Sequence, residues 1–375
     1  MKVVISGYIG KKITGIGRNL INLLDNANSD IEYVIYTNYD MKDDFVFRNP
    51  HVKIKTYNVT KMSSLKNLLW TTFFFPFVTI KEKADIVLIP NFTLLLLKFT
   101  PTIVIMHDLI EFNVPNKFSR LKMFYRTKIA DPITAWRADR IVTVSDNSKK
   151  DIIKYLNVKK QKISVVYNGV NRDIFTKKDE MQSNRILSEK EWPYRFILYV
   201  GTIDHPGKNS LMVVKAFEIL KKKGCYDGML VLAGMPGSGY EKVKNYIAKS
   251  DYKDQIILTG YVSDDELVAL YSKCDTFVFV SLYEGFGIPP LEALSCGAKV
   301  VVSDTSSLPE VVGDVGKKVN PNDIKAVTRA IYQNLKENDS DFLKKVEKHL
   351  SNYDWKILSR KLEEIIRLTG GIGED

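Results

Sequence analysis

The sequence predicts an α/β protein built from two doubly wound parallel-sheet domains, and three observations predict it. Short, near-continuous apolar runs rich in β-branched residues alternate with helical patterns. That alternation lapses once, in a polar and charged stretch at residues 171–195, and then restarts. The chain has 375 residues, which suits two domains at roughly 100–200 residues each. Apolar strands without strict alternation are the mark of a parallel sheet covered on both faces by helices.

In the first half the expected strands are KVVIS, EYVIYT, VKIKTY, ADIVLIP, TIVIM, RIVTVS and ISVVYN. A helix is expected over residues 16–24, after a run of glycines, and another over 145–156. Ser145 is a natural N-cap for the second, and Asp146 suits its first turn. The polar stretch reads as a linker. It gives a first domain at 1–176, a linker at 177–194 and a second domain at 195–353. The second set of strands is RFILYVG, GMLVLAG, QIILTG, TFVFVS and AKVVVS, with helices over 209–222 and 264–273 and after Pro289. Residues 322–368 read as helical. In open α/β sheets ligands bind outside the carboxyl ends of the strands. With two such sheets the expected site is a cleft between the domains.

Composition narrows the class. Hydrophobic residues make up 45% and charged residues 26% of the chain, an ordinary globular balance. The net charge of +11 is uneven. Residues 1–185 hold 30 Lys and Arg against 17 Asp and Glu, a net of +13, and the remainder nets −2. A basic half suits nucleic acid, anionic lipid or phosphorylated ligands; solvated faces in a Lys-rich proteome give the same excess. Cys225, Cys274 and Cys296 are odd in number and widely spaced, so neither a disulfide framework nor a zinc site is expected. The opening MKVVIS reads as a strand and not as a signal peptide, and a cytoplasmic location is expected. No run of 18 apolar residues occurs, so no transmembrane helix is expected. The nearest approach, NLLWTTFFFPFVTI at 67–80, is short and interrupted by Pro76.

Four motifs follow strands. SLYEGFGIPPLEALSCG, residues 281–297, leaves the strand TFVFVS. Pro289 and Pro290 suit the first helical turn and Gly297 the position after the helix. Glu284 is then expected in the loop and Glu292 in the first turn. Gly285 and Gly287 let backbone approach a ligand closely, and a helix start attracts phosphate. Two carboxylates beside a phosphate site can accept hydrogen bonds from sugar hydroxyls. A capping glutamate on an ordinary strand–turn–helix explains the same letters. In YVGTIDHPGKNSLMVVKAFEIL, residues 199–220, Lys208 precedes a helix and can neutralise a diphosphate as a point charge; a surface lysine beside a turn is the bland reading. GYIGKKITGIGRNLINLL, residues 7–24, is a glycine-rich strand-to-helix loop in which Gly15 and Gly17 permit close approach. The dinucleotide fingerprint is absent there, which disfavours nicotinamide chemistry. In TIVIMHDLIEFNVP, residues 102–115, His107 follows a strand and could bond a sugar hydroxyl or serve structure alone.

Together these motifs resemble the retaining glycosyltransferases of family 4, with the GT-B fold. EGFGIPPLE is similar to that family's motif of two glutamates separated by seven residues, and YVGTIDHPGKN resembles its donor-domain opening. ITGIGRNL, IMHDLIEF, ADRIVTVSDNSKKDI and VVYNGVNRDIF resemble its acceptor-domain segments in the same order, and LPEVVGDVG the segment after the second glutamate. The resemblance runs from residue 1 to about 330.

The resemblance implies a role for each matching residue. Glu284 contacts hydroxyls of the donor sugar, and Glu292 binds the nucleotide ribose. The Gly285–Phe286–Gly287 backbone and Lys208 hold the diphosphate, and Gly201 and Thr202 open the donor domain. Gly260 and Tyr261 lie near the base, Gly15 and Gly17 reach the diphosphate, and His107 lies near the transferred sugar. Many members carry Arg where this chain has Thr202; Arg18 is the candidate for a replacement charge. The helix at 354–370 is expected to pack back onto the first domain.

The implied activity is transfer of a hexose from a UDP-, GDP- or dTDP-sugar to a glycan or polyprenyl-diphosphate-linked acceptor. Configuration is retained, and no cofactor or metal is expected, since none of the motifs that carry the resemblance contains Asp-x-Asp; the one in the chain, Asp339-Ser340-Asp341, lies in the polar tail beyond them. A bacterial surface-polysaccharide pathway is the expected setting. The first domain is expected to touch anionic membrane through KNLLWTTFFFPF and the cationic KFSRLKMFYRTK, residues 117–128; burial of Trp70 and Phe73–Phe75 in the core is the competing reading. Alternatives are a GT-B sugar-nucleotide epimerase and a non-catalytic nucleotide-sugar or glycan-binding subunit. A nucleic-acid binder is disfavoured because no aromatic–basic or helix-turn-helix pattern is present.

Overall fold

The computed structural model describes residues 1–7, 15–27, 30–38, 45–57, 64–91, 93–114 and 119–371. Residues 8–14 of the glycine-rich motif, Pro115, and residues 117 and 118 of the cationic segment lie outside the described residues. Two compact units emerge, one of Met1–Gly169 with Trp355–Asp375 and one of Val170–Asp354.

Among the described residues, the first unit carries seven strands. They are β1 (Lys2–Ser6), β2 (Glu32–Asn38), β3 (Val52–Tyr57), β4 (Ile86–Ile89), β5 (Thr102–Met106), β6 (Arg140–Thr143) and β7 (Ile163–Val165). The second carries β8 (Phe196–Val200), β9 (Met229–Ala233), β10 (Ile256–Gly260), β11 (Thr276–Phe279), β12 (Val300–Ser303) and β13 (Lys317–Val319). All pairings are parallel. The orders are β3-β2-β1-β4-β5-β6-β7 and β10-β9-β8-β11-β12-β13. Each sheet reverses its direction of growth once, between β1 and β4 and between β8 and β11. Such a switch point opens a crevice at the carboxyl ends of the strands.

The first sheet is covered on both faces. Val3, Ile5, Leu88, Ile103 and Ile105 belong to one apolar cluster, and Val4, Val87, Val104 and Ile141 to another. Alternate residues of one strand feed opposite layers, as a pleated strand requires. The C-terminal helix Trp355–Thr369 completes the first layer with Trp355, Leu358, Leu362, Ile365 and Ile366. Polar links fix it there: Ser359 Oγ donates to the Leu23 carbonyl at 2.7 Å, and Arg367 meets Asp30 at 2.6 Å.

Several expectations meet the structure closely. The helix Asp146–Leu156 starts on Ser145, whose side chain accepts from Ser148 N at 3.0 Å. The helix Asp264–Lys273 starts on Ser263 with a reciprocal bond from Glu266. Three readings need correction. The stretch taken as a linker at 177–194 contains the helix Glu180–Glu189, capped by Asp179 and burying Ser183 and Leu187 in the second unit. With two buried positions in ten residues, it leaves almost no apolar period to detect. β13 was not expected; it is a three-residue, Lys-bearing edge strand, too short and polar for strand propensity to register. Finally, the apolar stretch at 67–80, expected to be interrupted at Pro76, is helical throughout. The helix Ser64–Leu69 passes through a π turn at Trp70–Phe74 into the helix Phe75–Lys81, and Pro76 is accommodated directly after that π turn, where the hydrogen-bond ladder changes register.

Candidate functional site

In the second unit the expected donor residues gather at the β8/β11 switch point. Gly201 follows β8 with φ of 148°, and its N–H donates to the Ala233 carbonyl at 2.9 Å. Thr202 is exposed; its carbonyl accepts from Tyr199 Oη at 2.9 Å, and its methyl lies against Gly237, where a Cβ would meet it at 2.3 Å. The chain then turns through Asp204, whose Oδ1 accepts from Lys208 N at 3.1 Å. Asn209 caps the helix Ser210–Lys222 in the left-handed region, and its buried side chain ties the turn to the carbonyls of Val280 and Pro321 at 3.1 and 2.9 Å. The turn beneath Lys208 is therefore stitched to β11 from below.

Glu284 leaves the other side of the switch point. Lys208 Nζ meets its Oε1 and Oε2 at 2.6 and 2.8 Å, and the Leu282 N–H donates to the Gly207 carbonyl at 3.0 Å. The expected roles placed Lys208 on a diphosphate and Glu284 on a sugar; the structure joins the two charges directly. Glu284 is mostly buried, with 12% of its side chain exposed, and such a carboxylate takes the nearest cation.

The Glu284 loop is braced from a segment that sequence reasoning did not single out. Ser306 Oγ accepts from Glu284 N at 3.1 Å, Thr305 Oγ1 donates to the Leu282 carbonyl at 3.2 Å, and Ser307 Oγ lies 3.0 and 2.6 Å from the carbonyls of Glu284 and Phe286. Phe286 is buried. Gly287 has φ of 100° and packs so closely on Leu308 that a Cβ would meet its Cδ2 at 2.5 Å; no other residue suits both demands.

The helix Ile288–Ser295 follows. Its C-terminal end matches expectation, since Gly297 has φ of 83° and the Gly297 and Ala298 N–H groups close back onto Leu294 and Ala293. Its start differs in two ways. Glu292 is the fifth helical residue and so belongs to the second turn, because the helix begins at Ile288. Pro289 and Pro290 also lack N–H groups, so half of the four donors that a helix start leaves over are absent. Those of Gly287 and Ile288 remain. Glu292 Oε2 accepts from the buried Tyr271 Oη at 3.3 Å. Burial first, and Glu292 next, push the Tyr271 phenol well above its ordinary range, so it stays a donor. Gly260 ends β10 with φ of 71° and open space beside it, and Tyr261 projects into solvent with 73% of its surface exposed.

In the first unit the remaining candidates flank the β1/β4 switch point. Gly15 is exposed and opens the helix Gly15–Asp25; Gly17 is buried and Arg18 exposed on it. That helix is anchored by Asn19, whose Nδ2 donates to Asn168 Oδ1 at 2.5 Å in a buried bond. His107 follows β5, and its Nε2 lies 3.0 Å from the Pro90 carbonyl beyond β4. Burial drives the imidazolium down to about 4, so the ring is neutral near pH 7. With Nε2–H given to Pro90, Nδ1 is left as an acceptor. His107 lines a cavity of about 240 Å³ with Asn91, Asp108, Arg126 and Asp131. Arg126 is paired with the buried Glu111 at 2.8 Å. Asp131 holds its proton far above the carboxylate range, through burial and then the adjacent Glu111.

Among the described residues, no three His, Cys, Asp or Glu side chains are grouped to hold a metal ion, and no helix is long and apolar enough to cross a membrane.

Comparison with known proteins fits this geometry. Residues 181–354 match the family described as glycosyl transferases group 1, and residues 13–174 match glycosyltransferase family 4. The O-antigen chain mannosyltransferase B of Escherichia coli is 32% identical over 62% of this chain and 60% of its own length. This chain thus spans less than two thirds of that relative. The O-antigen chain mannosyltransferase RfbU of Salmonella typhimurium is 30% identical over 80% of this chain and 79% of its own. Among solved structures, sucrose-phosphate synthase from Thermosynechococcus elongatus superposes with a TM-score of 0.76 over 99% of both chains, at 16% identity. Two parallel sheets with a GT-B neighbour, a lysine–glutamate pair at the second switch point and both family matches lead to one conclusion: the chain belongs to the family 4, or group 1, glycosyltransferases and has the GT-B fold.

Proposed function

We propose that the protein transfers a hexose from a nucleoside-diphosphate sugar to a glycan or lipid-linked glycan acceptor, with retention of configuration and without a divalent cation. The observation that carries this reading is the Lys208–Glu284 pair, set where the loops after β8 and β11 meet. Mannose is the first sugar to test, because both relatives named above are called O-antigen mannosyltransferases. Their names also favour assembly of a bacterial surface polysaccharide.

As the nucleoside diphosphate departs, negative charge grows on the β-phosphate while the anomeric carbon becomes oxocarbenium-like. An ammonium has three N–H donors. Glu284 takes two from Lys208, and the third serves the leaving phosphate together with the Gly287 and Ile288 N–H groups. Fixed donors aimed at developing charge stabilise a transition state without reorganising. Glu284 accepts from hydroxyls of the transferred sugar, Glu292 from the ribose, and the Gly260–Tyr261 corner faces the base. The neutral His107 offers Nδ1 to a sugar hydroxyl. Gly15, Gly17 and Arg18 serve the diphosphate or acceptor. The acceptor attacks from the face that the diphosphate leaves, and the departing phosphate takes its proton.

A thermal-shift panel of UDP, GDP, dTDP, ADP and CDP, each with and without EDTA, tests the reading. A nucleotide that binds should add about 2.7 kcal/mol of stability at a hundredfold excess over Kd. Stabilisation by one nucleotide in EDTA, followed by α-linked product from an α-linked donor, is the expected result. Stabilisation by none, or only with added magnesium, overturns it.

A further inference from the structure

The first unit carries a basic groove, at the edge of its sheet, that the transferase reading does not use. Lys98, Trp136, Arg137, Arg140, Lys159 and Lys162 line a space of about 930 Å³. Lys98 precedes β5, Arg140 opens β6, and Lys159 and Lys162 precede β7. The groove therefore sits at the amino ends of these three strands. His107 leaves the opposite end of β5, whose five residues span roughly 15 Å. Ligands of open α/β sheets gather at the carboxyl ends, so this space is separate from the residues assigned to transfer.

Part of the positive charge serves the fold. The helices Asp131–Arg137 and Asp146–Leu156 both end here, and helix ends present unpaired carbonyls. Lys162 Nζ donates to the Trp136 carbonyl at 2.7 Å and Lys98 Nζ to the Arg137 carbonyl at 3.0 Å. Arg140 Nη1 donates to the Gln161 carbonyl at 2.5 Å. Lys98 also pairs with Asp139, the one acid among the described lining residues. Five cations thus face a single carboxylate. Among the described residues, Arg137, Arg140, Lys159 and Lys162 form no ion pair. Arg137 is the least served: its Nε is buried without a hydrogen-bond partner. Its guanidinium lies 6.0 Å from the centre of the Trp136 ring, and Trp136 leaves 76% of its surface in solvent. Burial holds the Lys162 ammonium below the ordinary lysine range, a cost that a bound anion relieves.

We propose that this groove is a second, non-catalytic glycan site, which holds an oligosaccharide bearing carboxylate or phosphate groups. A pyranose ring lies on Trp136, and its oxyanions meet Arg137, Arg140 and Lys159. The negative face of an indole attracts the polarised C–H face of a sugar, and a guanidinium fork matches the oxygens of a carboxylate or phosphate. A lone ion leaves most of such a space unfilled. Single-stranded nucleic acid calls for several aromatic side chains in succession, whereas Trp136 is the only aromatic among the described lining residues. The choice of a glycan rests on the transferase reading. An acidic chain held here as well as at the transfer site keeps its growing end at a raised effective concentration.

The test is calorimetric titration of the whole protein with tetragalacturonate and with phosphorylated mannotetraose, against neutral maltotetraose. No nucleotide sugar is present, so failure here leaves the transferase reading standing, and failure of that reading leaves a measured glycan affinity intact. Binding of at least one acidic probe, weakened by salt and at least tenfold tighter than maltotetraose, is the expected result. Trp136→Ala and Lys159→Glu, both at exposed positions, should each weaken it by about tenfold at unchanged melting temperature. Arg137→Gln should do the same, and all three should keep the wild type's response to nucleotide. Binding of neither acidic probe, equal binding of maltotetraose, or indifference to Trp136→Ala and Lys159→Glu overturns the proposal. So does inorganic phosphate that binds as tightly as the acidic probes, or an oligonucleotide or phosphatidylglycerol vesicle that binds more tightly and loses affinity in the same variants.

Discussion

Lys208 and Glu284 form a two-pronged ion pair, with Nζ 2.6 and 2.8 Å from the two carboxylate oxygens, and it joins the loops that leave β8 and β11. Neither residue is placed by its neighbours in sequence alone. The Asp204 carboxylate and the Asn209 amide hold the lysine's turn, while Thr305, Ser306 and Ser307 hold the glutamate's loop. The pair is thus a product of the switch-point topology.

The pair makes stability and catalysis separable. Lys208→Ala should lower kcat by about 10²–10³-fold, the usual loss for one charge-stabilising donor. It should also destabilise the fold by about 1–2 kcal/mol, because Glu284 is left mostly buried without its cation. Lys208→Met combined with Glu284→Gln should recover the stability and not the rate. Denaturant midpoints and single-turnover rates on the wild type and the two variants check this. Recovery of both, or of neither, contradicts the shared role.

Glu292 lies at the start of its helix's second turn and not in the first, with Oε2 beside the Tyr271 hydroxyl. Glu292→Ala should weaken nucleotide binding about tenfold, near 1.4 kcal/mol, by removing a charged acceptor. Tyr271→Phe removes only the bond that orients the carboxylate, so its loss should be smaller. Calorimetric titration with the nucleotide decides the matter. An unchanged affinity in Glu292→Ala removes its ribose role.

Much of this was legible beforehand, and the reason differs by residue. Val3, Val104 and Phe277 announce strands because burial on both faces forces apolar runs. Gly287, Pro289 and Gly297 mark a loop, a helix start and a helix end because proline fixes its φ while glycine alone takes a positive φ without strain. The helix Glu180–Glu189 was missed because it buries almost nothing, and β13 because an edge strand of lysines carries no strand signal. Ser306, Ser307 and Asn209 were missed for another cause: hydroxyls and amides look alike wherever they fall. Only the fold shows that these face unpaired backbone groups of another loop.

Ser307 therefore carries a prediction. It is fully buried and serves two carbonyls of the Glu284 loop. The hydroxyl has one hydrogen, shared between the two carbonyls, and Ser307→Ala removes it at a cost of about 1–3 kcal/mol. The loop should loosen and kcat should fall by about tenfold through misplacement of Glu284, while Ser307→Thr restores part of it. If Ser307→Ala melts earlier but retains full kcat, the hydroxyl supports the fold alone.

The first unit contains two buried groups whose protons respond to pH in opposite senses. His107 is held neutral by burial, its pKa lowered to about 4 from about 6.5. The unfolded chain therefore binds the extra proton first, and folding stability is lost as pH falls from about 6.5 towards 4. Asp131 is the reverse case. Burial and the neighbouring Glu111 raise its pKa, so the folded state keeps a proton that the unfolded state has released. Its contribution is complete below the ordinary carboxyl range and is lost as pH rises through the raised value. Hence the melting temperature of His107→Gln, taken relative to the wild type, should climb as pH falls from 6.5 to 4, by an amount that reflects up to about 3 kcal/mol. That of Asp131→Asn, which keeps the shape and removes the acid, should climb as pH rises instead. Melting curves of the three proteins across that range read both slopes directly. Differences that stay flat with pH would show that neither burial is coupled to protonation.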